Sequence, residues 1–168
     1  MDKFVGTFTN KLDRKGRISL PAEYRAVLQR QQSESAALMP ALNAEAIAGG
    51  GSLYLETLHK RIEGLDPLGE EYNDWVDYIM PNVRNAGWDE TGRIVLPEAL
   101  IELAGLSDSA VFVGRYDHFQ IWQPAAWAER QAQLAQRHRR ARPSQRSDGC
   151  RGRMWTGRAR QTPAGTCR

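Results

Sequence analysis

The chain of 168 residues is long enough for one domain or two tightly fused halves, and 41% hydrophobic residues is ordinary for a soluble protein. No apolar run approaches the ~20 residues of a membrane span. The opening MDKFVGTFTNKLD has no apolar stretch behind a basic start, which argues against a secretory signal and for the cytoplasm. The net charge of +3 joins unlike parts: from Arg130 onward eleven arginines face the single acid Asp148, whereas residues 1–129 hold 12 basic and 19 acidic residues, a net of −7.

Taken in chain order, Phe4 to Asn10 is β-prone, with the loose alternation of a strand. Asp13-Arg14-Lys15-Gly16 carries Asp at the first and Gly at the fourth place of a type I turn. Arg17 to Leu20 alternates polar and apolar like a half-buried strand. Pro21 suits the first position of a helix. Ala22 to Gln29 then sets Tyr24, Val27 and Leu28 on one helical face. A flexible Ala/Gly stretch ending in Gly49-Gly50-Gly51 leads to an expected strand, Ser52-Leu53-Tyr54-Leu55. Leu68 to Met80 reads as a helix.

The next elements repeat the first. Asp89-Glu90-Thr91-Gly92 is a turn, Arg93 to Leu96 a strand, and Pro97 opens a helix to about Ala104, with Leu100, Leu103 and Ala104 inward. Gly105 fits the place after that helix. Val111–Arg115 and Phe119–Trp122 make a hairpin around Tyr116-Asp117-His118. Pro124 to about Arg140 is the last helix, with Trp127, Ala128, Gln131 and Leu134 on a stripe. From Pro143 on, Ser, Gly, Arg and Thr dominate, and disorder is expected. Cys150 and Cys167 lie in that tail and form no metal-spaced or redox pair.

The repetition is close. LDRKGRISLP and WDETGRIVLP share Asp, Gly, Arg, Ile, Leu and Pro at an offset of 76 residues, Asp13 to Asp89. A repeat array needs at least three copies, so two copies read as an internal duplication.

These motifs, with FVGTFTNKLD at the start and VFVGRYDHFQIW near the end, resemble the paired D-x-x-x-R motifs of the MraZ family, over roughly residues 1–135. That is a family of bacterial regulators with the AbrB/SpoVT-like swapped-hairpin fold. The resemblance implies an α+β, mainly β protein. Two tandem AbrB-like β-units would form an intrachain pseudo-dimeric barrel with short flanking helices. The expected divisions are a first repeat at 1–60, a connecting helix at 61–83, a second repeat with closing helix at 84–140, and an Arg-rich tail at 141–168. The resemblance also implies a ring of subunits that binds short direct repeats of double-stranded DNA. Its role would be transcriptional control of the cell division and cell wall gene cluster, in association with the nucleoid.

In each turn Asp closes the loop, Gly permits it and Arg pairs with the Asp, which explains the motif by structure alone. The first turn adds more, because Lys11, Arg14, Lys15 and Arg17 form a local basic patch on an acidic body. Such a patch gains by releasing counterions from phosphates, and Arg can grip guanine edges with two bonds. With the resemblance, the DNA-binding candidates are Lys11, Arg14, Lys15, Arg17, Thr91 and Arg93, oriented by Asp13, Gly16, Asp89 and Gly92. The second turn is the weaker site, since Glu90 and Thr91 replace Arg14 and Lys15. Two rivals remain: an Arg-rich tail that binds any nucleic acid without sequence preference, and a purely structural ring.

An enzyme is disfavoured. His59, His118 and His138 offer no i, i+4 metal pair, and no metal, cofactor or small-molecule substrate is expected. Asp13 and Asp89 are better explained by their turns than as a catalytic carboxylate pair. Gly49-Gly50-Gly51 lacks the Lys-Ser/Thr of a phosphate loop.

Overall fold

A computed structural model describes residues 3–141. Five strands and three helices lie before or beside the first motif copy and its followers: β1 (Thr7–Lys11), β2 (Arg17–Ser19), α1 (Ala22–Arg30), β3 (Ser35–Pro40), β4 (Ile47–Gly50), α2 (Ser52–Glu63), α3 (Glu70–Ile79) and β5 (Arg84–Gly87). The second copy continues with β6 (Arg93–Val95), α4 (Glu98–Leu103), β7 (Ser109–Gly114), β8 (Phe119–Trp122) and α5 (Pro124–Ala141). The protein is mostly antiparallel sheet with several helices.

Six strands form one antiparallel sheet in the order β1-β7-β8-β4-β3-β5, and β2 and β6 form a separate two-stranded ribbon. The order reads the same from both ends once each strand is matched to its counterpart: β1 with β5, β7 with β3, β8 with β4. The outer strands cross over. β1, from the first half, pairs with β7 (Thr7 opposite Val113), and β5, from the second, pairs with β3 (Ala36 opposite Ala86). No closed barrel forms among the described residues.

The four inner strands of the sheet are buried on both faces, and their side chains divide with period two. Ala36, Leu38, Ile47, Ala110, Phe112, Phe119 and Ile121 enter one core with Ile18, Leu20, Ile94 and Leu96 of the ribbon and with Tyr24, Leu28 and Leu100 of α1 and α4. Ala37, Met39, Ala48, Val111, Val113 and Trp122 enter a second core with Tyr54 and Leu58 of α2, against which Trp127 of α5 packs. Tyr24 is the hub of the first core. Its ring meets Phe4 and Phe8 edge-on at centroid distances of 5.4 and 5.3 Å, and its hydroxyl donates to the Gly6 carbonyl at 3.0 Å. Burial raises its pKa.

Several sequence expectations are corrected. Ser52–Leu55 is not a strand but the first turn of α2; Tyr54 and Leu58, one turn apart, bury on the same side. The Ala/Gly stretch is not flexible: Ile47, Ala48, Gly49 and Gly50 are the buried central strand β4. β3 was not anticipated. The first strand begins at Thr7, and Phe4 only bridges Tyr116. Pro21 and Pro97 stand one place earlier than expected, as extended residues before α1 and α4. On α5, Ala128 and Gln131 face solvent, and Ala126, Trp127 and Leu134 are half-buried. The segment beyond Pro143 lies outside the described residues.

Glycines make β4 possible. A Cβ at Gly49 would collide with the ring of Phe119, which is fully buried and cannot swing aside. Gly49→Ala should therefore destabilise the protein by about 1–3 kcal/mol, the usual range for overpacking; chemical denaturation monitored by tryptophan fluorescence would measure it.

Candidate nucleic-acid interface

Each motif turn is a hairpin end closed by its aspartate. Asp13 N–H donates to the Arg17 carbonyl at 3.0 Å, and Gly16 N–H donates to the Asp13 carbonyl at 3.0 Å. The second copy repeats both bonds, Asp89 to Arg93 at 2.9 Å and Gly92 to Asp89 at 2.8 Å. Gly16 and Gly92 have φ of +75° and +79°, the left-handed region where a Cβ is unwelcome. A turn followed by a left-handed glycine is the usual geometry of a three-residue hairpin loop.

The carboxylates hold this geometry and also aim the arginines. Asp13 Oδ1 accepts from Lys15 N–H at 2.9 Å and Arg17 N–H at 2.8 Å, while Oδ2 accepts from Arg17 Nε at 2.7 Å. Asp89 Oδ1 accepts from Thr91 N–H, Thr91 Oγ1–H and Arg93 N–H at 2.9, 2.6 and 2.9 Å, and Oδ2 accepts from Arg93 Nε at 3.2 Å. Only Nε of each arginine is engaged. The terminal guanidinium nitrogens make no hydrogen bond among the described residues, and both side chains are about two-fifths exposed.

The two turns are tied to one another through the ribbon. Arg17 lies opposite Val95, Ile18 opposite Ile94, and Ser19 opposite Arg93. Leu20 N–H donates to the Gly92 carbonyl at 2.9 Å, and Leu96 N–H to the Gly16 carbonyl at 2.8 Å. Ile18 and Ile94 are 1% and 0% exposed and face the core. Side chains opposite each other share a face, so Arg17, Val95, Ser19 and Arg93 make up the outward one. The structure thus brings Arg17 and Arg93, 76 residues apart in sequence, onto one small surface.

The other candidates fall around it. Lys11, Arg17, Ser19 and Arg93 border a shallow groove with Asp108. Arg14 and Lys15 are exposed at the first tip, beside a hollow they share with Glu98 and Ile101. Thr91 is exposed, but its hydroxyl donor is spent on Asp89. Sequence reading missed Arg25. Its guanidinium lies against Gly92 so closely that a Cβ there would overlap it. Ile101 takes the matching place against Gly16. The second turn, poor in basic residues of its own, is thereby backed by a cation from α1. The offset of 76 pairs Arg25 with Ile101 and could have flagged the difference.

A polar network lies elsewhere. His118 Nδ1 sits 2.6 Å from Asp117 Oδ1 and stacks on Tyr54, and Gln120 Oε1 accepts from Arg115 Nη1 and Trp122 Nε1. Burial lowers the pKa of His118 and pushes that of Tyr54 up to about 12. Among the described residues no group of His, Cys, Asp and Glu could hold a metal ion, and no helix is long and apolar enough to cross a membrane.

The fold is a duplicated Asp-Gly-Arg hairpin unit on an antiparallel sheet, and the sequence is similar to proteins of one family. A family model described as MraZ protein matches residues 84–149. The transcriptional regulator MraZ of Parvibaculum lavamentivorans is 40% identical over 129 residues, covering 76% of this chain and 80% of its own. That of Beijerinckia indica is 40% identical over 124 residues, covering 74% and 76%, and that of Rickettsia canadensis 36% identical, covering 74% and 83%. The chain belongs to the MraZ family.

Both motif carboxylates are held below the ordinary aspartate range. For Asp13 the main cause is the Arg17 backbone N–H; for Asp89 it is the Thr91 hydroxyl, followed by the Arg93 backbone N–H. A lowered folded pKa stabilises the fold above the unfolded value, near 3.9, and that contribution is lost as pH falls through the folded value. Carboxyl NMR titration should place both below about 3.9, with Asp89 the lower because it has one more donor. Asp13→Asn should flatten the acid limb of the stability curve below about pH 4.

Proposed function

We propose that this chain is a sequence-reading, DNA-binding transcriptional regulator, not an enzyme, and that it works as a ring-shaped homo-oligomer. Its sites are direct repeats in the promoter of the cell division and cell wall gene cluster. The single observation that carries the reading is the outward ribbon face, where two arginines are each steadied by an aspartate and left with free terminal donors. The names of the relatives support the regulatory role. The crossed strand pairing, β1 on β7 and β5 on β3, supports reading the two halves as a pseudo-dimer of swapped hairpins.

In this reading Arg17 and Arg93 take guanine edges, since a guanidinium whose Nε is anchored presents its ends in a fixed direction. Lys11, Arg14 and Lys15 contact phosphates. These are few contacts, and residues 1–129 are net negative, so one subunit binds weakly. A ring that repeats the ribbon along one edge gains by effective concentration. It favours sites spaced by about one helical turn, ~10 bp. The Arg-rich segment beyond the described residues adds sequence-blind attraction.

Electrophoretic shifts of the full-length protein on its own upstream promoter fragment and on a scrambled one, at two salt concentrations, test this. Preference for the promoter should persist at the higher salt. Arg17→Ala should abolish that preference and leave oligomer size unchanged, whereas normal operator binding by this variant would rule out the ribbon as the reading surface. Lys15→Ala should weaken binding to both fragments alike and reduce the salt slope by about one per subunit engaged. Truncation after Arg137 should lower affinity for the scrambled fragment while the preference remains; loss of all binding would make the tail the DNA-binding element.

A further inference from the structure

Within the paired ribbon strands the two motif copies differ at one position: Ser19 in β2 corresponds to Val95 in β6. Arg17 and Arg93 occupy one diagonal of the outward face, and Ser19 and Val95 the other. Val95 is 57% exposed, between Ile94 and Leu96, which are 0% and 2% exposed. The Ser19 carbonyl is held by Asn10 Nδ2 at 2.6 Å, and its hydroxyl makes no hydrogen bond among the described residues. A single exposed valine is unremarkable on a protein surface. This one is directly opposite an arginine whose guanidinium is fixed in place, on the face read above as the DNA-facing one.

A two-stranded ribbon fits the major groove. There each base pair shows its own pattern, and thymine alone shows a methyl group, against which small apolar side chains pack. We propose that Val95 reads thymine: its methyls pack on the C5-methyl of a thymine next to the base taken by Arg17. Ser19, at the matching place of the other strand, contributes a hydroxyl that bonds a base edge and carries no apolar preference. The ribbon face is therefore lopsided, apolar at one corner and polar at the opposite one. This inference rests on the DNA-binding reading above.

The test removes the methyl groups and nothing else. Fluorescence anisotropy would compare the promoter duplex with the same duplex carrying deoxyuridine at each thymine in turn, for the full-length protein and for Val95→Ser and Val95→Thr. Unmodified protein should lose roughly four-fold in affinity at one substituted position per repeat, the worth of one buried methyl. Val95→Ser should bind the thymine duplex more weakly by a similar factor and be indifferent to deoxyuridine there. Val95→Thr, which keeps the β-branched shape and one methyl, should fall between them. Circular dichroism and oligomer size should be unchanged in both variants, since the side chain is outside the core. Promoter preference with no deoxyuridine effect, or an effect that persists in Val95→Ser, overturns the inference and leaves the regulator reading standing. Equal binding to promoter and scrambled duplexes overturns both.

Discussion

The pairing of β2 with β6 is the constraint on which the rest depends. Each strand has three residues, too short to persist alone. What holds them is reciprocity: Leu20 N–H reaches the Gly92 carbonyl while Leu96 N–H reaches the Gly16 carbonyl. Both acceptors belong to the left-handed glycines, so the turn that ends each hairpin also supplies the bond that extends the other's strand. Aspartate, glycine and arginine are thus one device. The carboxylate closes the turn, the glycine permits it and offers its carbonyl to the partner copy, and the arginine is aimed by the same carboxylate. Beneath them Ile18 and Ile94 lie against each other and seal the ribbon to the core.

That device was readable from the sequence, because its determinants are local. Asp-x-x-Gly dictates the turn whatever surrounds it, and helices α1 and α4 follow from Pro and an apolar stripe. The central sheet was not readable to the same degree. β3 (SAALMP) and β4 (IAGG) are buried on both faces, so they show no alternation, and small residues carry little strand preference. Only the arrival of Phe119 over Gly49 explains why glycine is needed there, and Phe119 is 70 residues away in the chain. Ser52–Leu55 misled for the opposite reason. Its short alternation looks like a strand, and the next turn, with Leu58 below Tyr54, reveals the helix. At the proposed site the turn chemistry of each motif was legible, but the grouping was not: the ribbon register unites Arg17 with Arg93 and exposes Val95 beside them.

Duplication within one chain also frees the halves to differ. The turns share their closing bonds, yet the first bears Arg14 and Lys15 and the second bears Glu90 and Thr91. The supports differ too, Ile101 behind Gly16 and Arg25 behind Gly92. The same backbone frame therefore carries a basic tip on one side and a mixed one on the other, with the aspartate-held arginine as their common element.

The crossed pairing of the outer strands sets an order of events when the chain is made. Thr7 finds its sheet partner at Val113, and Ile18 finds its own at Ile94. A nascent chain that has completed α1 and the β3–β4 pair still lacks the partner for β1, the seal for the ribbon and half of the aromatic core. Contacts of such long sequence separation are slow to form because chain closure precedes any gain from them. Folding must therefore wait until the strands of the second half have been made, and neither half, released by itself, would have a complete sheet to fold into.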